Sequence, residues 1–208
     1  MKTIPVLLAT LMLTAWSGTL AAQDQGSAAD LYRRSYAAES KGDYDEALDL
    51  MKRVHVPRSG GYVLHLRTGW LLYLNGKHAQ AVVEYRKASR LKPAAIEPLL
   101  GVMLPLMAER KWKEAMRVGL AVLEKAPADF TAQSRIAYIR YQQGRYPEAE
   151  KWYRKALEGY PSNVEMRTGL GWSLLRQNRF KEAEHEFRSV LNVAPDHASS
   201  QEGISRIP

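Results

Sequence analysis

Cysteine is absent from this chain of 208 residues. That absence excludes disulfides, thiolate metal ligands, a cysteine nucleophile, palmitoylation and the acylated cysteine of bacterial lipoproteins. Long apolar runs are scarce too. Residues 4–16 form an uncharged run of 13, which is short of the roughly 20 residues that span a bilayer. The most apolar segment beyond the first 22 residues is 96–107, which is also too short to span a bilayer and contains Glu97 and two prolines. The sequence therefore predicts no transmembrane helix, and a fold that packing alone must stabilise.

The first 22 residues have the features of a secretory signal peptide in the expected order. Lys2 gives a positive charge, residues 4–16 are the apolar segment, and residues 19–22 include small side chains for cleavage before Gln23. An N-terminal anchor is the alternative, which the short apolar segment disfavours. We therefore expect export to the periplasm. Cleavage after Ala21 or Ala22, and any association with the outer membrane, are left open.

Alanine recurs every 34 residues, and three other residue types keep the same interval. Within each unit the apolar spacing is helical, and glycine or asparagine marks the end of a first helix. Each unit is therefore predicted to be a helical hairpin. The columns are Ala47, Ala81, Ala115, Ala149 and Ala183; Pro93, Pro127, Pro161 and Pro195; Tyr44, His78, Trp112, Tyr146 and Phe180; Val54, Ala88, Val122, Ala156 and Val190; and the turn residues Gly42, Gly76, Gly144 and Asn178.

These columns resemble the tetratricopeptide-repeat family, whose motif is W-x2-L-G-x2-Y, then A-x3-F, then P. The last unit matches best, with Gly171, Ala183, Phe187 and Pro195. The resemblance implies an all-α, right-handed superhelical solenoid. The predicted divisions are a signal peptide (1–22), a linker (23–27), five repeats (28–61, 62–95, 96–129, 130–163 and 164–197) and a C-terminal cap (198–208).

Several residues depart from the family pattern. Pro57 comes early and precedes the stretch 58–61, which predicts a looser junction between the first two units. In the third unit Arg110 replaces the turn glycine, and Gly119 replaces the aromatic residue of the second helix. Pro105 lies inside a predicted first helix, so we expect a kink there and a bend at mid-array.

In this family the first helices line a concave groove, and the resemblance places the second, fifth, sixth, ninth, twelfth and thirteenth residues of each unit in it. Aromatic, apolar and arginine side chains at those positions favour the binding of a peptide. The alternative is that the aromatic residues are buried against neighbouring hairpins. A chaperone-tail clamp is not expected, because Tyr36 and Trp70 stand where that clamp has asparagine. The candidate peptide-binding residues are Arg33, Tyr36, Arg67, Trp70, Tyr73, Leu104, Met107, Arg135, Tyr138, Tyr141 and Trp172.

No catalytic, metal or cofactor site is predicted. His185 and Glu186 begin a zinc-protease motif, but Ser189 stands at the second histidine. Gly76 lacks the partner glycine of a phosphate loop, and Ser173 lacks the second glycine of a nucleophile elbow. We therefore expect a protein that is not an enzyme and needs no cofactor.

Basic residues outnumber acidic ones by 30 to 22, for a net charge of +8. The bases lie late in the predicted second helices, as at Lys52 and Arg188, and the acids lie near their starts, as at Glu46 and Glu182. Helix dipoles favour this order, so a solvated face explains the charge better than a nucleic-acid site.

Three functions are compatible with these features. The first is an exported scaffold or adaptor that binds a peptide segment of an envelope protein in the groove. The second is an accessory protein of polysaccharide export or outer-membrane assembly that contacts glycan or lipid headgroups. The third is a self-associating structural spacer. The repeats together with the signal favour the first.

Overall fold

A computed structural model describes residues 26–56 and 61–208. The predicted signal peptide (1–22), residues 23–25 of the predicted linker and the segment that starts at Pro57 lie outside the described residues. Export and the looser first junction therefore stay predictions.

Helices make up all the regular structure of the described ranges, which contain no strand, so the predicted all-α class is confirmed. In chain order they are α1 (Ala28–Ser40), α2 (Tyr44–Lys52), α3 (Tyr62–Leu74), α4 (His78–Leu91), α5 (Glu97–Ala108), α6 (Trp112–Lys125), α7 (Phe130–Gln142), α8 (Tyr146–Gly159), α9 (Val164–Leu175), α10 (Phe180–Leu191) and α11 (Ala198–Ser205).

Five tight turns of one kind join each odd-numbered helix from α1 to α9 to the helix that follows it. In every turn a backbone N–H donates to the carbonyl of the residue five positions earlier, as from Asp43 to Ala38 (3.0 Å) and from Lys111 to Leu106 (2.8 Å). This bond requires a left-handed residue just before its donor. Those residues recur every 34 positions, at Gly42 (φ 79), Gly76 (φ 70), Arg110 (φ 55), Gly144 (φ 73) and Asn178 (φ 59). Arg110 thus adopts the turn despite its side chain.

The repeated alanines set how closely the helices approach. Ala47, Ala81, Ala115, Ala149 and Ala183 are all 0% exposed. Rings from the second helices fill the remaining space between units. Tyr85 lies so close to α5 that a Cβ at Gly101 would come within 2.4 Å of its ring. Gly101 is therefore small because a larger side chain would collide with this ring.

Gly119 departs from the aromatic column, and the structure gives a physical reason. Side chains from both neighbouring helices occupy the space that a ring would fill. A Cβ at Gly119 would meet Met103 Cε of α5 at 2.8 Å and Ile136 Cγ1 of α7 at 3.0 Å. Larger residues on the first helices thus compensate for the small one on the second.

Successive odd-numbered helices from α3 to α11 contact one another, so they share one face of the solenoid, called here the inner face. Helix α5 continues through Pro105 to Ala108 without interruption. Helix α5 packs between α4 and α6, and the expected kink at Pro105 and bend at mid-array stay predictions. At the C-terminal end, Ile204 and Ile207 pack against the cluster that contains Phe187.

Replacing Arg110 with glycine should stabilise the fold by about 1 kcal/mol, because a side chain at positive φ is strained and glycine is not. Gly76→Ala in the equivalent turn should destabilise it by about the same amount. Nothing lies within 4 Å of the added Cβ, so the backbone alone would account for the loss. Urea unfolding followed by circular dichroism measures both effects.

Gly159→Ala is the matched control, since its added Cβ also meets nothing within 4 Å but its φ is not positive. It should not destabilise the fold. A lower stability of the Arg110→Gly variant would contradict the assignment of strain to this turn.

Candidate functional site

Two clefts open on the inner face. The N-terminal cleft lies between α1 and α3 and reaches the start of α5, with a volume of about 740 Å³. The C-terminal cleft lies among α7, α9 and α11, with a volume of about 420 Å³. The N-terminal cleft is lined by Tyr36, Glu39, Ser40, Tyr44, Tyr62, Val63, Leu66, Arg67, Trp70, Leu74 and Glu97. The C-terminal cleft is lined by Ser134, Tyr138, Tyr141, Tyr153, Glu165, Met166, Thr168, Gly169, Trp172, Arg176, Ser199, Glu202 and Arg206.

Arg67 joins α3 to α1 beneath the N-terminal cleft. Its buried guanidinium pairs with the carboxylate of Glu39 and donates from Nη2 to Ser35 Oγ at 3.1 Å. The indole N–H of Trp70 donates to Glu39 Oε1 at 2.6 Å. The ring of Tyr36 covers the guanidinium, with 3.8 Å from Cζ to the ring centroid. Residues three or four apart share a helix side, so the paired positions on α1 and α3 meet.

Above this network the N-terminal cleft exposes aromatic and apolar side chains. Tyr36 is 57% and Val63 55% exposed. The Tyr62 hydroxyl donates to Glu97 Oε2 at 3.0 Å. Burial, and secondly this hydrogen bond to a carboxylate, raise the pKa of Tyr62 to about 12. The hydroxyl therefore keeps its proton at neutral pH and remains a donor.

The C-terminal cleft has an aromatic wall and an aromatic floor. Tyr138 in the wall is 43% exposed. Tyr153 forms the floor beneath Gly169, where an added Cβ would come within 2.4 Å of the ring. Burial raises the pKa of the Tyr153 hydroxyl. The cleft thus offers ring surface for an apolar side chain to pack against.

Helix α11 supplies the far wall of the C-terminal cleft. The Trp172 indole N–H donates to Ser199 Oγ at 2.9 Å, and the hydroxyls of Thr168 and Ser200 lie 3.1 Å apart. The Arg206 guanidinium lies 5.6 Å from the centroid of the Trp172 ring. The segment predicted as a cap therefore also builds part of the site.

The predicted site residues are divided between these surfaces. Tyr36, Arg67 and Trp70 line the N-terminal cleft, and Tyr138, Tyr141 and Trp172 line the C-terminal cleft. The other five line neither. Arg33 is exposed and pairs with Asp30, while Arg135 donates to the Leu100 carbonyl at 2.5 Å and burial lowers its pKa. Tyr73, Leu104 and Met107 are half-buried on α3 and α5. As peptide contacts, all eleven stay predictions.

Sequence reasoning missed the contribution of α11 and of Arg176. A usable signal existed for both. Carrying the 34-residue register past residue 197 gives Ser199, Glu202 and Arg206 the second, fifth and ninth positions of a further unit. Arg176 holds the thirteenth position of its unit, which the resemblance also assigns to the groove.

Among residues 26–56 and 61–208, no group of three or more histidine and acidic side chains could hold a metal ion. Within the same ranges, none of the helices is both long enough and apolar enough to cross a membrane.

Residues 128–196 match the family model described as tetratricopeptide repeat. No curated protein gives a significant sequence match. Solved structures give the same fold. A tetratricopeptide repeat protein from Parabacteroides merdae is 21% identical, with a TM-score of 0.75 over 86% of this chain and 72% of that one. MamA from Desulfovibrio magneticus is 23% identical, with a TM-score of 0.71 over 84% and 99%.

A third structure, YrrB, is described as a tetratricopeptide-repeat protein with an unusual peptide-binding site. It is 14% identical, with a TM-score of 0.67 over 88% of this chain and 94% of YrrB. At these identities the likeness concerns the fold. Together with the family-model match, these structures confirm the predicted tetratricopeptide-repeat resemblance.

Glu39→Ala should destabilise the fold by about 3 kcal/mol, because it leaves the buried charge of Arg67 without its carboxylate. Arg67→Met added to it should restore most of the loss, since no unpaired charge then remains. Guanidinium chloride unfolding measures the three variants. Asp49→Ala is the control: its pair with Lys52 is exposed, so the loss should stay below about 0.5 kcal/mol. Equal losses from the two acids would refute a structural role for the Glu39 pair.

Proposed function

The chain is a tetratricopeptide-repeat protein in fold and in its matched segment, and on that premise we propose that it is a scaffold that binds a peptide segment of a partner protein on its inner face. Proteins of this fold generally act by binding rather than by catalysis. The observation that carries the proposal is the pair of clefts, each of which keeps a large aromatic side chain open to solvent.

Exposing these aromatic rings to solvent costs free energy, and the packing of the fold does not explain why they are exposed. Tyr36 and Tyr138 are 57% and 43% exposed, although each neighbours buried aromatic or guanidinium groups. Half-exposed tyrosines set in a concave surface are suited to hot-spot contacts, because the ring buries apolar area while its hydroxyl still finds a partner. An extended or helical segment laid along the odd-numbered helices would cover both.

The proposal includes export. The order of charge, apolar run and small residues in the first 22 residues supports secretion by a cleaved signal. The partner is then a protein of the cell envelope, and the chain acts in the periplasm.

The double variant Tyr36→Ser/Tyr138→Ser should lose the partner protein. The experiment uses the mature chain as bait in an envelope extract from the source cells, with captured proteins identified by mass spectrometry. Tyr160→Ser is the matched control, because Tyr160 is 53% exposed and lines neither cleft. The expected result is capture by the wild type and the control, at least ten-fold reduced in the double variant.

Two other outcomes would point elsewhere. Equal capture by all three proteins would place binding outside the clefts and contradict the proposal. Self-association in sedimentation, with no captured protein, would support the spacer alternative.

Export makes its own prediction. The protein isolated from the periplasm should have the mass of a chain that begins at Ala22 or Gln23. Leu8→Arg should keep the full-length chain inside the cell, because a charge interrupts the apolar segment, whereas Leu8→Val should be exported normally. Full-length protein in the membrane fraction of wild-type cells would instead support the N-terminal anchor.

A further inference from the structure

A second cavity adjoins the C-terminal cleft. This side cavity has a volume of about 420 Å³ and is lined by Trp172, Leu175, Arg176, Asn178, Phe180 and Arg206. It shares Trp172 and both arginines with the C-terminal cleft. The structure describes all of residues 61–208, and among them two guanidinium groups and no carboxylate line this cavity. Because Arg206 is itself paired with Glu202, the net positive charge of the cavity comes from Arg176.

Arg176 differs from the other arginines of this half of the chain. Seven of the nine arginines between residues 130 and 208 lie within 4.0 Å of a carboxylate: Arg140, Arg145, Arg154, Arg167, Arg179, Arg188 and Arg206. Arg135 is half-buried and donates to a backbone carbonyl. Arg176 is exposed, and no acidic side chain in that range pairs with it. Its charge is thus available to a ligand.

The surroundings hold Arg176 in place without neutralising it. Interaction with the Tyr141 hydroxyl raises the pKa of the guanidinium. Its backbone N–H donates to the Trp172 carbonyl at 3.0 Å, at the end of α9. A guanidinium has five donor hydrogens, so interaction with one hydroxyl leaves others for a second acceptor.

The acidic residues nearby do not cancel this charge. Glu202 is engaged with Arg206 at 2.6 Å. Glu165, whose side chain is 75% exposed, lies 3.5 Å from Nε2 of His197. Both line the C-terminal cleft and neither lines the side cavity. Charge therefore changes from mixed to positive along the surface, with the Trp172 ring at the boundary.

We propose that Arg176 binds an aspartate or glutamate side chain of the partner segment in the side cavity, next to an apolar or aromatic side chain that packs between Tyr138 and Trp172 in the C-terminal cleft. The inference rests on the peptide-binding function proposed above and specifies its ligand as an acidic segment. Arg176 makes the carboxylate contact, whereas Arg206 is already paired with Glu202. Charge-assisted bonds from a guanidinium to a carboxylate have the required strength and direction.

The test is a selection from a bead-bound library of random eight-residue peptides, capped at both ends so that side chains carry all the charge. The baits are the wild type, Arg176→Gln and Arg188→Gln. The last is the control, because it removes the same charge from an exposed arginine of α10 that lines no cleft. Circular dichroism and melting temperature verify that the three proteins fold alike.

The wild type and Arg188→Gln should both enrich peptides that carry an acidic residue beside an apolar or aromatic one, and Arg176→Gln should not. In resynthesised peptides, Glu→Gln should weaken binding about ten-fold to the wild type and less than two-fold to Arg176→Gln, as measured by fluorescence polarisation. Added salt should weaken the acidic peptide more than its amide form.

Acidic enrichment that persists in Arg176→Gln, or is missing from the wild type, would overturn the inference. If the wild type selects peptides without acidic residues and Tyr138→Ser abolishes their binding, the peptide-binding function stands and the acidic specificity fails. If no bait selects any peptide, both fail.

Discussion

The fully buried alanine of each second helix is the contact on which the rest of the structure depends. With no side chain beyond Cβ, it lets the two helices of a hairpin approach closely, and any larger residue would force them apart. Because the alanine returns every 34 residues, each hairpin repeats the geometry of the one before. The same positions of every first helix then face the same way. The shared surface of the inner face therefore follows from packing on the opposite side of the first helices, where the alanines lie.

Much of the fold could be predicted because its determinants are local and periodic. Left-handed glycines, apolar spacing and the alanine interval each constrain a few consecutive residues. At Arg110 and Pro105 packing overrides the local conformational preference of the residue. Arg110 takes a conformation that it disfavours because the hairpins on either side require the turn there. Pro105 stays within a continuous helix because α5 is held between α4 and α6.

The site was less predictable, because periodicity gives the direction of a side chain but not its partner. Arg67 and Arg135 hold equivalent positions in their units, yet they end differently. Arg67 is buried against the carboxylate of Glu39, 28 residues earlier in the chain. Arg135 instead donates to the Leu100 carbonyl, 35 residues earlier. Arg176 has no such carboxylate and keeps its charge. Nothing in the spacing of the sequence distinguishes Arg67 from Arg135, since the difference lies in the neighbouring unit.

The middle of the inner face explains why two clefts form instead of one groove. There α5 presents Leu104 and Met107, which are half-buried apolar side chains, and no aromatic ring stands at their positions. The surface between the clefts therefore lacks the large rings that form their walls. A bound segment would gain most of its binding energy at the two ends, where rings and charges meet, and little at the centre. Two weak contacts on one rigid array strengthen each other, because binding at one end raises the effective concentration at the other. The stiffness of the solenoid, and hence the buried alanines, would then contribute to affinity as well as to the fold.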